Sequence, residues 1–139
     1  MAERATELGL RLDRWQRTLE YYPPLARARQ FVERRLPEDV TAEQAAARAH
    51  LERHYFSAYF RERVGVTFSE WLNVTRLARA LKLLEERDWS MSELAVESGF
   101  VTARRLQRTF RKHLGTTPTR YRRFVRGDLS VRDRRPGNA

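Results

Sequence analysis

The sequence predicts an all-α fold with an internal duplication, and three observations carry that prediction. Apolar residues recur at helical spacing along most of the chain, and no segment alternates as a strand does. A block from Phe60 to Trp71 reappears fifty residues later from Phe110 to Tyr121, matching Phe60-Arg61 with Phe110-Arg111, Gly65 with Gly115 and Thr67 with Thr117. Two capping boxes, Thr41-Ala42-Glu43-Gln44 and Ser90-Met91-Ser92-Glu93, open the paired segments. In each, a hydroxyl caps the helix and Gln or Glu three residues on bonds back to the cap. Upstream of Phe60 the offset between copies is 49, as in Thr41/Ser90, so the second turn is one residue longer.

Leu8, Leu12, Trp15, Leu19 and Tyr22 make one stripe on an N-terminal helix that ends near Pro23-Pro24. This amphipathic arm, residues 1–24, either packs on the rest of the chain or serves self-association or partner docking. Leu25 to Arg35 forms a second helix, with Phe31 and Val32 inward and a stop before Pro37. The first capping box opens a short helix from Ala42 to Ala49, in which Ala46 lets the next helix cross closely after a turn near His50. That next helix, Arg53 to Val64, buries Phe56, Tyr59 and Phe60.

Thr67 caps a long helix from Phe68 to Arg87. Its Phe68, Trp71, Leu72, Leu77, Leu81 and Leu84 cover too broad a surface for one neighbour, so it reads as a linker between two lobes. The second capping box opens Met91 to Ser98, with Ala95 at the crossing and Gly99 at the turn. A helix from about Thr102 to Leu114 follows, burying Leu106 and Phe110. Thr117-Pro118 supplies a cap and a proline at the first position of a last helix holding Tyr121 and Phe124. The expected organisation is therefore an arm (1–24), a domain (25–126) and a tail (127–139) expected to be disordered. Within the domain the first lobe covers about 25–66, the linker helix about 68–87 and the second lobe about 88–126.

A formal net charge of +10 points to a polyanionic partner. The charge is uneven. Between Gly99 and Arg126 stand Arg104, Arg105, Arg108, Arg111, Lys112, Arg120, Arg122, Arg123 and Arg126 with no carboxylate. Between Val40 and Gly65, Arg48, Arg53, Arg61 and Arg63 are offset by Glu43, Glu52 and Glu62. All basic residues but Lys82 and Lys112 are arginine, which favours bidentate contacts to phosphate and guanine but arises equally from a GC-rich genome.

Cysteine is absent, which excludes disulfides and thiolate metal sites. No apolar run reaches membrane-spanning length and the first residues lack a signal-like stretch, so a cytoplasmic location is expected. His50 and His54 are four apart, but the turn falls between them and no third ligand is evident. No metal or cofactor is expected. With no Gly-rich phosphate loop and no trio of nucleophile, base and orienter, the chain does not read as an enzyme.

A short helix, a tight turn and a second helix with one buried stripe form the helix-turn-helix pattern. Its duplication predicts two helix-turn-helix subdomains joined by a long linker helix, with an extra N-terminal amphipathic helix. Such a chain addresses two successive major-groove segments of double-stranded DNA, roughly 34 Å apart. An RNA-binding helical domain and a protein-interaction module are the alternatives. Against RNA, the aromatic residues sit at buried helical spacings and not on exposed platforms.

Residues 41–123 resemble the AraC/XylS family DNA-binding domain. The most specific portion is Leu94-Ala95-x-x-x-Gly99-Phe100-x-Thr102-x-x-x-Leu106-x-Arg108-x-Phe110-Arg111-Lys112-x-x-Gly115-x-x-Pro118-x-x-Tyr121-Arg122. Phe56-x-x-x-Phe60-Arg61-x-x-x-Gly65, Trp71-Leu72 and Arg76-Leu77 extend it to the first copy. The resemblance implies bacterial promoter regulation, more often activation by contact with RNA polymerase. Many members carry a separate effector-sensing domain, which 24 leading residues are too few to form.

The resemblance also places base-reading residues on the exposed faces of the two recognition helices. These are His54, Ser57 and Ala58 in the first, and Ala103, Arg104, Gln107 and Arg108 in the second. Arginine suits guanine, glutamine suits adenine and an alanine methyl suits thymine. Phosphate contacts are expected from Tyr55, Arg61, Thr102, Arg105, Arg111, Arg120 and Arg122, with Tyr55 equally placed to be a core-edge residue. Arg76 and Arg79 on the linker helix either touch phosphate or make intramolecular ion pairs. The family usually has Gly at the position of His50 and Ser at that of Glu52. The first turn is therefore expected to be strained and less well capped, and the first recognition helix to contribute less specificity.

Overall fold

The computed structural model describes residues 2–126, in which the regular structure is eight helices and no strand. They are α1 (Ala2–Tyr21), α2 (Pro23–Arg34), α3 (Ala42–Ala49), α4 (Arg53–Val64), α5 (Phe68–Glu86), α6 (Met91–Ser98), α7 (Ala103–Leu114) and α8 (Pro118–Val125). The tail expected at 127–139 lies outside the described residues. No helix among them is long and apolar enough to cross a membrane.

The expected elements are present, with one shift at the prolines. Pro23 and Pro24 do not merely stop α1. They occupy the opening positions of α2, where a missing N–H costs nothing because the first helical turn has no carbonyl to receive it. Both capping boxes close in both directions. Thr41 and Ser90 accept from the backbone N–H of Gln44 and Glu93, whose side chains bond back to the caps. Thr67, Thr102 and Thr117 cap α5, α7 and α8 through their hydroxyls.

The stripe on α1 is spent on the chain's own core. Leu8, Trp15 and Leu19 are 3%, 5% and 1% exposed, and Leu12 and Tyr22 pack half-buried beside them. Each of the three buried side chains contributes about 1.5–3 kcal/mol of burial. For Leu8, Leu12, Trp15, Leu19 and Tyr22, packing on the rest of the chain, one of the roles left open from sequence, is what the structure shows, with α1 lying against α2, α4, α5 and α7.

Helix α5 packs against α4 through its first turns, where Glu70 also lies beside His113 of α7, and against α6 and α8 as well, which is why its apolar surface is so broad. The duplication persists in the core. Phe60 meets Trp71 at a ring-centroid distance of 5.7 Å, and their counterparts Phe110 and Tyr121 meet at 5.6 Å. Phe56 and Phe68 enlarge the first cluster, at 5.5 Å from each other.

Candidate nucleic-acid interface

The two helix pairs, α3–α4 and α6–α7, are joined by turns of different length. In the first, His50 sits at φ 62°, Leu51 N–H donates to the Ala46 carbonyl at 3.0 Å, and Glu52 opens α4. The expected strain is there: an exposed histidine occupies a left-handed conformation. The expected weak cap is not. The two carboxylate oxygens of Glu52 accept from His54 N–H at 2.9 Å and Tyr55 N–H at 3.2 Å. Those bonds, His54 first, hold the carboxyl below the usual glutamate range.

In the second turn Gly99 takes φ 92°, and the additional residue, Val101, takes φ 74°. Phe100 and Val101 both donate to the Ala95 carbonyl, at 2.8 and 3.0 Å. Gly99 has no alternative here. A Cβ added to it would lie 2.3 Å from the Leu36 carbonyl oxygen and 2.9 Å from Arg76 Nε. The second turn is thus seated against the end of α2 and against α5.

Helix α7 buries Leu106, Phe110 and Leu114 and turns Arg104, Arg105, Gln107, Arg108 and Arg111 to solvent, with Ala103 half-buried at its start. Among the described residues no carboxylate pairs with Arg104, Arg105, Arg108, Arg111 or Arg120, so these guanidinium groups are free to meet an external anion. Gln107, Arg108 and Arg111, with Lys112 and Thr117, line an open cleft of about 460 Å³ between α7 and the start of α8. Lys112 stood in the basic cluster and the family motif but not among the DNA contacts expected from sequence. Its place one helical turn beyond Arg108 is the signal that could have identified it.

The corresponding face of α4 carries little charge. His54, Ser57, Ala58 and Arg61 are exposed, and Tyr55 is 57% exposed with its ring against Tyr59. Arg53 pairs with Glu43 at 3.5 Å. Arg63 lies with its guanidinium 3.7 Å from the Tyr59 ring centroid and 5.2 Å from that of Tyr22.

Three of the arginines considered for phosphate contact are buried or paired within the chain. Arg76 is only 5% exposed, packed beneath Gly99, and burial followed by the charge of Arg105 pushes its pKa down. With so little surface it is poorly placed to reach phosphate, which goes against the first of the two roles left open for it from sequence. Arg79, left open from sequence, donates to the Glu97 carbonyl at 2.7 Å. Arg122 lies 3.5 Å from Asp88, which also takes Arg126 at 2.7 Å. Thr102 stays exposed while its hydroxyl accepts from Arg105 N–H. At the far end of α7, burial chiefly, with Lys112 and Arg11 adding to it, lowers the pKa of His113 against the pull of Glu70. His113 Nε2 lies 3.7 Å from a Glu70 oxygen, beyond a hydrogen bond, so burial prevails over that pull.

Comparison with known proteins agrees with this geometry. A family model described as a helix-turn-helix domain matches residues 45–123, more than half of the chain. The regulatory protein PocR of Salmonella typhimurium is 30% identical over 101 residues, which are 73% of this chain and 33% of PocR. The HTH-type transcriptional regulator YijO of Escherichia coli is 32% identical over 108 residues, 78% of this chain and 38% of YijO. The chain thus spans between a third and two fifths of the length of these curated relatives. Among solved structures, the DNA-binding domain of the global transcriptional factor AdpA, in complex with a target DNA, is similar with a TM-score of 0.71 and 35% identity. That match covers 76% of this chain and 96% of the AdpA domain. A transcriptional regulator from Chromobacterium violaceum, described by its AraC-type DNA-binding domain, is similar with a TM-score of 0.67 and 25% identity, covering 78% and 96%. The chain belongs to the AraC-type helix-turn-helix DNA-binding domains of transcriptional regulators, a family of DNA-binding proteins and not of enzymes.

Proposed function

We propose that this chain binds promoter DNA sequence-specifically by inserting α4 and α7 into adjacent major-groove segments, and that it activates transcription through contact with RNA polymerase. The reading divides residues 25–126 into two lobes about α5. The observation that carries it is the solvent-facing row Arg104, Gln107, Arg108 and Arg111 on one recognition helix, without a carboxylate partner and continuous with a cleft ending at Thr117. Side chains at i, i+3, i+4 and i+7 share a helix face, so they can enter one groove together. In this reading Arg104 and Arg108 read guanine, Gln107 reads adenine and Ala103 meets a thymine methyl. Arg105, Arg111, Arg120 and Thr102 hold phosphates. On α4, His54, Ser57 and Ala58 meet bases while Tyr55 and Arg61 meet the backbone. The AdpA domain, similar in fold, is itself bound to DNA.

Selection of bound sites from random duplex, followed by footprinting at several salt concentrations, tests the reading. Two protected segments about one helical turn apart on one face are expected. A single protected segment, or binding that vanishes equally on all sequences as salt rises, would reject it. Transcription from the selected promoter with purified polymerase tests the activating role, and repression there would overturn it.

A further inference from the structure

We infer that α1 is a spacer that fixes the separation of the two recognition helices, and so determines which half-site spacing this chain accepts. The inference rests on the reading that α4 and α7 occupy two groove segments. Two helices, α1 and α5, pack against both α4 and α7. At its N-terminal end α1 sets Arg4 against Gly115, just past α7, close enough that a Cβ on Gly115 would collide with the guanidinium. At its other end the Tyr22 ring stands 6.1 Å from that of Tyr59 on α4, with Arg63 stacked over both.

The contacts obey the duplication. Arg63 and His113 are fifty residues apart, equivalent positions on α4 and α7. The first lies over Tyr22 and the second feels the charge of Arg11, both belonging to the arm segment. The arm thus crosses the same side of both helices. That side is about 140° around α7 from Arg108, so the base-reading face stays clear. Twenty residues of helix make α1 about 30 Å long, close to the rise of one DNA turn, about 34 Å. Between its ends Leu8, Trp15 and Leu19 are buried, and Glu20 lies 3.7 Å from Arg29 on α2, so the bar is held along its length. With α5 alone the two units would share one support. Two supports triangulate them.

The test compares the unaltered chain with Leu8→Ala, which loosens the α7 end, and with Tyr22→Ala, which loosens the α4 end. The half-buried Tyr22 makes its variant the milder one should Leu8→Ala fail to fold, and thermal melting establishes which variants are folded. Affinity is measured on the selected site, on the same site with one base pair inserted between half-sites, and on a single half-site. Wild type and Leu8→Met are expected to lose about tenfold or more on insertion, because geometry then forbids simultaneous engagement. The loosened variants are expected to lose about threefold or less, with unchanged affinity for the single half-site. A folded variant as strict as wild type overturns the spacer role and leaves the two-groove reading intact. Wild type that tolerates the insertion overturns both.

Discussion

The α3–α4 and α6–α7 pairs are copies of one backbone plan that have diverged in what their side chains present. Both begin with a closed capping box, pass through a left-handed turn and pack an aromatic pair against the following helix. The first turn accepts histidine at its left-handed position because that residue faces solvent. At the matching position the second has Gly99, where a Cβ would run into the Leu36 carbonyl and Arg76. The reading faces differ in the opposite sense. Helix α7 carries free arginines, whereas α4 offers His54, Ser57 and Ala58 and ties up Arg53 and Arg63. The difference shows that the turn and core are held by backbone geometry, while the exposed positions were free to become unequal.

The strongest way to break the comparison is at the turns. Gly99→Ala is expected to cost about 2–4 kcal/mol, combining a positive φ with a Cβ forced into the Leu36 carbonyl. Denaturant unfolding measures it. A loss under about 1 kcal/mol would mean that the second turn shifts freely, and the contrast with His50 would collapse.

At the reading faces, Arg108→Ala is expected to cost about 1–3 kcal/mol of affinity on the selected site and to relax preference at one base position. Ser57→Ala or His54→Ala should cost less, since neither brings a bidentate base contact of arginine's strength. Binding titrations on specific and random duplex decide this. Equal losses on both duplexes would reduce Arg108 to a phosphate contact, and a larger loss from α4 would reverse the ranking of the two units.

Much of this contrast was legible in the sequence because it lies in local chemistry. Capping boxes, Gly stops and the repeat of Phe60-Arg61 as Phe110-Arg111 act over a few residues, so they located α3 to α8. The outward placement of Arg104 and Arg108 followed from the family resemblance, with their i, i+4 spacing in agreement. What could not be read depends on contacts distant in the chain. Arg76 was left between a phosphate contact and an intramolecular ion pair, and only the docking of Gly99 and Leu36 over it shows that it is buried. The side of the molecule taken by the Leu8–Trp15–Leu19 stripe likewise depended on a three-dimensional surface shared by α4, α5 and α7. Glu52 was underestimated because a carboxylate can cap with two oxygens, given the backbone angle found at this turn.

The smallest expected effect sharpens the turn comparison from the side of strain. Two residues other than glycine hold positive φ among the described ones, His50 at 62° in the first turn and Val101 at 74° in the second. Histidine tolerates the left-handed region better than a β-branched residue, whose Cβ substituents crowd the backbone there. Both are exposed, so replacement removes little packing. Glycine relieves the strain in the folded chain but also gives the unfolded chain more freedom, and the two effects partly cancel. His50→Gly is therefore expected to stabilise by no more than about 0.5 kcal/mol, and Val101→Gly by about 0.5–1 kcal/mol. Paired thermal melts measure the difference. A greater gain at His50 would place the larger share of strain in the shorter turn, and the additional residue of the second turn would then be a relief of strain instead of its source.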